Sequence, residues 1–519
     1  MVQLNDTNEL ISMAVAPISI VILLTILWLY KLTLSSSKSS LPPGPRSLPI
    51  VGYLPFLRRD FHKQIVDMAY TYGPIFKFHL GSKLYVVINT PELVKEVVRD
   101  QDEVFSNHDV TVSASMISYG CQDLAYTGNN SKWRNLRKIF VHELLSNKNL
   151  EASGSFRSDE IRKTIKHVYC NIGKEVNISD IAFLTEMNVL TSMVWENTSI
   201  KGAKGIQFLQ DLQTLTSNLV DIVGQPNLSD FFPSLAWFDL QGIERKMNKT
   251  IGKIDQILTN IIEDRVKSNS KKSEDGDGNE GKKKKDFLQI LLDLKDQNNT
   301  LNITNIKALL MDTMLGGTET TATLIEWAMA EIMKNYKVMK LVQEELTKVV
   351  GTNNIVEESH IPQLEYLHAT INETYRLHPV LPFLLPRTPS KDSKVGGYTV
   401  PKGCCVFLNA YSIHRDPRYW DNPLEFNPER FLKDKCNYNN GNNFKFFPFG
   451  SGRRICVGIP LVEKMTMLIL ASLLHSFDWS LPQGIEEHDL SEKMAITLKK
   501  IKPLLAIPSQ RLLDASLYN

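Results

Sequence analysis

The chain has 519 residues, with 59 Lys and Arg against 57 Asp and Glu, so its formal net charge is +2. With 43% apolar and 22% charged residues, the composition is that of a globular protein and excludes a disordered, collagen-like or coiled-coil chain. The near-zero charge balance argues against nucleic acid as a partner, because phosphate binding needs an excess of Lys and Arg. The six cysteines show no C-x-x-C spacing, which excludes the usual zinc and redox-pair motifs.

The first predicted element is a transmembrane anchor over residues 11–30, twenty residues without a charge. A helix of that length spans about 30 Å, the thickness of the hydrocarbon core of a bilayer. A cleaved signal peptide is the alternative, but its apolar region would be shorter and would precede a small-residue cleavage site. Lys31 and Lys38 follow the segment and Asp6 and Glu9 precede it, which places residues 1–10 in the lumen and the body of the protein in the cytosol.

Residues 31–45 are interpreted as a linker that ends in a stiff hinge, because Pro42, Pro43 and Pro45 restrict the backbone. Residues 46–519 are then predicted to form one catalytic domain. Two-residue alternation predicts strands over 75–80 and 83–88, and short strand-like pieces recur at 397–400 and 404–409. Helical periodicity covers roughly 205–220, 241–267, 303–350 and 364–378. The polar run 268–286 is predicted to be a solvated loop. The fold class is therefore mainly α with a small β-sheet portion.

The long helix predicted over 303–335 carries an unfavourable stretch, Gly316-Gly317-Thr318-Glu319-Thr320-Thr321. Each glycine costs about 1 kcal/mol against alanine in a helix interior, and the threonines compete for backbone hydrogen bonds. Such a stretch indicates either a functional distortion or a notch for close helix packing.

Two shorter patterns are weak by themselves. Glu373 and Arg376 share a helix face, which favours an ion pair. Trp133 and Arg137 are four residues apart and also share a face.

The segment 446–458 is the richest in chemistry. Gly450 and Gly452 permit a tight turn, and Arg454 offers a fork that fits a carboxylate. Cys456 comes just before an apolar helix, where free N–H groups and the helix dipole should lower its pKa. A thiolate in such a turn is a suitable axial ligand for haem iron. The alternative is an ordinary buried thiol in a glycine-rich loop.

The pattern Phe449-x-x-Gly452-x-Arg454-x-Cys456-x-Gly458 resembles the haem-thiolate loop of the cytochrome P450 monooxygenases. The other motifs follow in the order of that family, so the resemblance covers the whole chain. The anchor, hinge and length resemble plant microsomal enzymes of the A-type, and the sequence around the cysteine resembles the subfamily of a cadinene hydroxylase and a flavone 6-hydroxylase. Val457 departs from the proline that is usual in the family.

The resemblance implies the P450 fold with haem b as cofactor and Cys456 as the axial ligand of its iron. Further cofactor-binding residues implied by it are Trp133, Arg137, Arg387, Arg454, Phe449, Gly452 and Gly458. Glu373, Arg376 and Arg430 would form a structural network that supports the cysteine loop.

The same resemblance implies that Thr320 and Glu319 are catalytic: Thr320 hydrogen-bonds during O2 activation and Glu319 relays protons. Electrons would come from NADPH through NADPH–cytochrome P450 reductase, because the chain has no dinucleotide motif of its own. Lys132, Arg134, Lys138, Lys445 and Lys464 are candidates for the docking face. The implied location is the endoplasmic reticulum membrane, with a single span and a cytosolic catalytic domain.

The residues that the resemblance places around the substrate are mostly apolar. They are Val110, Val112, Met116, Ile117, Met314, Val380, Leu381, Phe383, Leu384, Met494, Ala495 and Ile496. Such a pocket suits a small neutral hydrophobic substrate, and a terpenoid, in particular a sesquiterpene, is the first hypothesis. A flavone is the alternative. A haem-thiolate isomerase or dehydratase and a non-enzymatic haem or sterol binder are the other classes, and neither needs Glu319 and Thr320.

Overall fold

Helices dominate the protein and strands are short, which confirms a mainly α fold with a small β portion. The computed structural model describes residues 17, 19–27, 40–195, 203–274, 285–298, 301–433, 438, 443–482 and 489–518. The longer helices are Phe61–Tyr72, Ser131–Glu143, Gly154–Tyr169, Ile178–Trp195, Ala203–Val223, Ile243–Glu274, Phe287–Asn298, Ile303–Lys334, Tyr336–Val350, Glu365–Leu377 and Ile459–Ser476. Short helices are Pro91–Lys95, Asp102–Phe105, Val112–Ile117, Asn147–Ala152, Leu228–Phe231, Ala410–Ile413 and Glu429–Lys433.

The main sheet joins strands from both ends of the chain. The strands are β1 (Ile75–Leu80), β2 (Lys83–Ile88), β3 (Asn107–His108), β4 (Val176–Asn177), β5 (Arg387–Thr388), β6 (Ser393–Val395), β7 (Tyr398–Val400), β8 (Cys405–Leu408), β9 (Phe477–Ser480), β10 (Glu492–Met494), β11 (Leu498–Lys500) and β12 (Leu505–Gln510). The order in the main sheet is β1-β2-β8-β5-β3, and β2 pairs with β8 in parallel. The predicted strands at 75–80, 83–88, 397–400 and 404–409 are confirmed, with ends that differ by at most one residue.

The helix Ile303–Lys334, called the central helix below, lies in the largest apolar core of the described residues and packs on Ile178–Trp195 and Ile459–Ser476. Asn302 begins it with a capping box, in which its side chain accepts the N–H of Asn305. The long helix predicted over 303–335 is confirmed, and the helical stretch 303–350 is divided at Asn335 into the central helix and Tyr336–Val350. The side-chain amide of Asn335 donates to the carbonyl of Glu331 at 2.8 Å, which offers the backbone an alternative to helix continuation.

The predicted loop 268–286 is wrong at its start, because residues 268–274 continue the helix Ile243–Glu274. That stretch has no proline or glycine, and lysine, glutamate and serine on an exposed helix are compatible with helical structure. Residues 275–284 lie outside the described residues.

Residues 11–16, 18 and 28–30 of the predicted anchor lie outside the described residues, as does the linker up to residue 39. Residues 19–27 are helical, and their large apolar side chains are exposed, including Val21 at 62% and Leu23 at 56%. In the part of the chain that the structure describes, one helix is long and apolar enough to cross a membrane, Ile459–Ser476. That helix is 78% buried inside the protein, as a core helix is.

Candidate active site

The segment 446–458, called the cysteine loop below, is a tight turn held by its own backbone. The N–H of Cys456 donates to the carbonyl of Phe449 at 3.1 Å, and the N–H of Ile455 donates to that of Gly452 at 3.1 Å. Gly450 and Gly452 both have φ of +73°, in the left-handed region. A Cβ on Gly452 would lie 2.4 Å from the carbonyl oxygen of Val98, so the loop passes close to neighbouring backbone.

The side chain of Cys456 is accessible, although much of the protein packs around it. The N–H of Gly458 donates to its Sγ at 3.3 Å. Burial raises the pKa of the thiol, whereas the N–H groups of Gly458 and Ile459 and the charge of Arg137 act in the opposite direction. The predicted lowering of this pKa is therefore wrong for the polypeptide alone, since burial outweighs the donors. A bound metal cation would favour the thiolate, as metals do for coordinating thiols.

Two arginines, the buried Arg387 and the half-buried Arg454, hold the loop and the segments beside it. The guanidinium of Arg387, whose residue is 3% exposed, donates to the carbonyls of Ser451 at 2.7 Å and Phe105 at 3.2 Å. Arg454 donates to the carbonyls of Leu124 at 3.0 Å and Thr127 at 2.5 Å. Burial lowers the pKa of each arginine to about 10, and the charge of Arg387 adds to the effect on Arg454.

Trp133 and Arg137 lie on the helix Ser131–Glu143 and meet the same loop. The indole N–H of Trp133 donates to the carbonyl of Leu124 at 3.1 Å, and the Arg454 guanidinium lies 4.1 Å from the ring centroid of Trp133. Arg137 donates to the carbonyl of Ile455 at 2.8 Å, next to Cys456. The structure therefore brings together Trp133, Arg137 and the arginine–cysteine segment.

The charges around the cysteine loop fit an anionic cofactor. Among the ion pairs of the described residues, Asp102 is the carboxylate that faces this group, 3.6 Å from Arg387 and 3.2 Å from Arg453. Positive charge is therefore in excess in a buried region, which is costly unless an anion completes it. A haem would supply two propionates for Arg137, Arg387 and Arg454 and an iron for the accessible thiol of Cys456, so the donor set fits that group.

A buried ion-pair network supports the loop from behind. Arg376 and Glu373 are both fully buried and form a bidentate pair, with two N···O distances of 2.7 Å. Arg430 donates to Glu373 at 3.0 Å, and Arg376 also donates to the carbonyl of His414 at 2.8 Å. The ring of His414 accepts the N–H of Phe447 at 3.1 Å, which links the network to the cysteine loop. Burial lowers the pKa of His414 to about 3, so its ring is a neutral acceptor.

The central helix stays α-helical through 316–321, because the threonine hydroxyls bond to the preceding turn. Thr320 donates to the carbonyl of Gly316 at 2.6 Å and is partly accessible. A Cβ on Gly316 would meet nothing within 4 Å, whereas a Cβ on Gly317 would lie 2.7 Å from Leu190. One glycine therefore leaves open space, and the other permits close packing.

Glu319 is buried, and its carboxylate pairs with Lys499 of β11. Lys499 also lies 3.8 Å from Asp221, whose side chain is 57% exposed. Sequence reasoning did not find Lys499 or Asp102, since both act through contacts between distant segments that no local pattern signals.

The predicted docking residues lie in several segments, and some of them contact other side chains. Lys132, Arg134 and Lys138 are exposed on the helix Ser131–Glu143. A shallow groove of about 300 Å³ on this helix includes Arg134, Lys138 and His142. Lys445 lies over the ring of Trp420 at 5.6 Å, and Lys464 lies 3.8 Å from Glu358.

Two residues of the predicted pocket point elsewhere. Phe383 stacks on Phe407 with ring centroids 4.9 Å apart, in the apolar cluster beside the main sheet. Val110 is 42% exposed. Leu384, with φ of +56°, lies next to the cysteine loop, where its Cδ1 would be 3.5 Å from a Cβ on Gly450.

The chain is similar to known proteins both in sequence and in fold. The sequence profile described as Cytochrome P450 matches residues 42–507. The chain is 36% identical to a flavonoid 3',5'-hydroxylase of Solanum melongena, with 91% of each protein covered. It is 35% identical to a geranylhydroquinone 3''-hydroxylase of Arnebia euchroma, covering 92% of this chain and 95% of that protein, and 33% identical to a ferruginol synthase of Isodon rubescens, covering 91% and 95%. In fold it is similar to a zebra fish cytochrome P450 solved with Abiraterone, with a TM-score of 0.73 at 24% identity, covering 88% of this chain and 100% of that one.

Proposed function

The chain belongs to the cytochrome P450 family, as a plant A-type monooxygenase, and we propose from this that it hydroxylates a hydrophobic specialised metabolite, in first place a terpenoid. The family implies haem iron, O2 and electrons from a reductase. The choice of haem b, of NADPH–cytochrome P450 reductase as donor, and of the endoplasmic reticulum membrane belongs to the proposal. So does the division into a lumenal tail (1–10), an anchor (11–30), a linker (31–45) and a catalytic domain (46–519). The subfamily of cadinene hydroxylase and flavone 6-hydroxylase stays a prediction.

The observation that carries the proposal is an accessible cysteine thiol beside one buried and two half-buried arginines, Arg387, Arg137 and Arg454, with few carboxylates near them. Haem, when bound there, supplies the activation of O2. Cys456 would hold its iron, and Arg137, Arg387 and Arg454 with Trp133 would orient its propionates. Phe449, Gly452 and Gly458 shape the loop that presents the thiol.

The central helix, which is separate from the cysteine loop, supplies protons for the reaction. The hydroxyl of Thr320 holds a proton at a partly accessible position of a helix that is mostly buried. Glu319 is held by Lys499, which reaches toward the exposed Asp221. These charged groups give a path along which a proton moves between solvent and the helix.

Replacing Thr320 by alanine is expected to lower product formation at least about tenfold and to raise hydrogen peroxide release per NADPH consumed, because the hydroxyl proton is lost. Serine at the same position should restore most of the coupling. The measurement is the ratio of product and peroxide to NADPH in a reconstituted system.

Thr321→Ala is the matched control. Thr321 also donates to the carbonyl one turn earlier, at 3.2 Å, but it is 2% exposed. We expect its coupling to stay close to that of the unmodified protein. Unchanged product and peroxide in Thr320→Ala would overturn the assigned role.

The substrate class is argued from the partly accessible apolar residues Met116, Ile117, Leu381, Leu384 and Met494. They favour a neutral hydrophobic molecule. The relatives include both a geranylhydroquinone hydroxylase and flavonoid hydroxylases, so a flavone remains the second candidate. Product analysis with a panel of sesquiterpenes and flavones tests both, and turnover of neither would contradict both.

Membrane contact is supported by an exposed apolar surface beside the turn between β1 and β2. The N–H of Gly81 donates to the carbonyl of Val51, and that of Ser82 to the carbonyl of Phe231. Both partner segments continue into exposed apolar residues. These are Leu48 (43%), Ile50 (52%), Phe56 (47%), Leu235 (42%), Trp237 (77%), Phe238 (48%) and Leu240 (61%). Aromatic and aliphatic side chains of this kind bind at the interface of a bilayer.

Trp237→Phe is expected to reduce the quenching of tryptophan emission by brominated lipids in the full chain reconstituted into vesicles, because one of the seven tryptophans then no longer lies at the lipid. Trp420→Phe, at a residue that is 6% exposed, should leave the amount of emission lost to the quencher unchanged. Equal quenching in Trp237→Phe and the unmodified protein would place that surface in water.

A further inference from the structure

Two carboxyl groups outside residues 316–321, one buried and one half-buried, meet between the central helix and the segment 121–127, called the cradle segment below. Asp123 of the cradle segment is 1% exposed. Asp312 lies on the central helix, two turns before Thr320. Neither group takes part in the reaction proposed above.

The two carboxyl groups fix the cradle segment from both sides. Oδ1 of Asp123 accepts the N–H groups of Tyr126 at 2.9 Å and Thr127 at 3.1 Å. Oδ2 of Asp312 accepts the N–H of Leu124 at 2.7 Å. The two carboxyl groups also act on each other, and a proton on one of them would let it donate a hydrogen bond to the other.

Protonation of one partner follows from the surroundings. Burial raises the pKa of Asp123 to about 6, against the pull of its backbone donors. Burial raises the pKa of Asp312 well above its ordinary value, and the charge of Asp123 raises it further. Two interacting carboxylates that are shielded from water cannot both be charged at low cost. The other titratable or charged groups around the pair are Arg454 of the cysteine loop, Tyr126 and Cys121 of the cradle segment, His108 of β3 and Asp109. Burial lowers the pKa of His108 to about 3, so it is neutral.

The cradle segment in turn orients two residues of the proposed haem site. The carbonyl of Leu124 accepts from the Trp133 indole at 3.1 Å and from Arg454 at 3.0 Å, and that of Thr127 accepts from Arg454 at 2.5 Å. A displacement of this segment would therefore move the guanidinium of Arg454 and the indole of Trp133 together.

We propose that Asp123 and Asp312 are positioning residues for haem binding: joined as one acid and one carboxylate, they hold the cradle segment so that its carbonyls aim Arg454 and Trp133 at the propionates. The inference rests on the proposed function, since it takes Arg454 and Trp133 as haem-binding residues. It adds that their orientation depends on a proton stored at the central helix.

The sign of the pH dependence follows from linkage. In the unfolded chain both aspartates are ionised above about pH 4, whereas the folded pair keeps one proton. The folded arrangement therefore weakens as pH rises, by up to about tenfold in its equilibrium constant for each pH unit while the proton is held. Haem retention should fall with it on the alkaline side.

Asp312→Asn tests this directly, because the amide NH2 reproduces the donor toward Asp123 and the amide oxygen still accepts the N–H of Leu124. We expect this variant to retain haem as the unmodified protein does near pH 6.5 and to lose haem at a rate that no longer rises between pH 6.5 and 9. Asp312→Ala, which removes the acceptor of the Leu124 N–H and the carboxyl group that acts on Asp123, should lose haem about tenfold faster at all these pH values. The rate is measured in the full-length holoenzyme by transfer of haem to excess apomyoglobin.

Glu326→Gln is the matched control: Glu326 is another buried carboxyl group of the central helix, and it accepts the N–H of Leu504 at 2.8 Å, far from Arg454. Its haem-loss profile should match that of the unmodified protein. The same pH slope in Asp312→Asn and the unmodified protein, or haem loss in Asp312→Asn as fast as in Asp312→Ala, would overturn the proposal. Absence of a haem-thiolate spectrum in the unmodified protein would instead overturn the proposed function. In that case, melting midpoints that fall with pH only when Asp312 is present would still support the proton-sharing pair.

Discussion

Cys456→Ser is expected to abolish the red-shifted Soret band of the reduced protein with carbon monoxide and to lower product formation at least about 100-fold. The hydroxyl of serine does not ionise near neutral pH, so it cannot replace a thiolate as axial ligand. The turn itself should survive, because the bond from the N–H of residue 456 to the carbonyl of Phe449 belongs to the backbone. The measurement is the difference spectrum with carbon monoxide, together with the haem-to-protein ratio and the melting midpoint.

Cys170→Ser is the control for thiol replacement, since Cys170 is exposed at the end of the helix Gly154–Tyr169 and lies outside the loop. It should keep the spectrum and the activity. A thiolate-type band that persists in Cys456→Ser would mean that another residue binds the iron. A histidine-type band in the unmodified protein would mean that the cysteine loop does not ligate it.

The fold could be predicted from the sequence where periodicity is local. The alternation in 75–80 and 83–88 specifies two half-buried strands, and the antiparallel register with Ile75 opposite Ile88 follows from the turn at Gly81-Ser82. The parallel pairing of β2 with β8, more than 300 residues later, could not be predicted because no local pattern encodes it. The end of the central helix at Asn335 agrees with the helix predicted over 303–335, although helical periodicity continues on both sides of it.

The candidate site shows the same limit. The sequence motifs identify Cys456, Arg454 and the pair of Glu373 and Arg376 by type and spacing. They do not show that Glu319 is held by Lys499, since that contact joins the central helix to β11 across the fold. The pKa of Cys456 was predicted with the wrong sign because helix position is visible in the sequence and burial is not.

The missed contacts between distant segments and the wrong sign for the pKa of Cys456 have one cause. Short-range geometry depends on a few neighbouring residues, whereas burial depends on the whole packed structure. The most reliable predictions therefore concern residues whose partners are near in sequence, and the buried charges need the structure before their energetics can be argued.

Glu373→Ala is the second large effect that we expect: the protein should fail to accumulate as a folded holoenzyme. Glu373 and Arg376 are both fully buried. Removal of the Glu373 carboxylate leaves both Arg376 and Arg430 without the counter-charge that this group supplies. Breaking a buried pair in this way costs about 3–5 kcal/mol. That is a large share of the roughly 5–15 kcal/mol by which a folded protein is stable. The loss would also release His414 and with it the N–H contact to Phe447.

The order of effects distinguishes this network from ordinary surface pairs. Arg430→Ala should be milder than Glu373→Ala, because the side chain of Arg430 is 12% exposed and the bidentate pair remains. Glu344→Ala removes an exposed pair with Lys340, with side chains 58% and 64% exposed, and should change stability by no more than about 1 kcal/mol. The yield of haem-thiolate spectrum and the melting midpoint of each purified variant are the measurements. Glu373→Ala with the haem content and midpoint of Glu344→Ala would show that the network does not support the cysteine loop. The expected order of effects arises because the fully buried carboxylate of Glu373 neutralises two cations, Arg376 and Arg430.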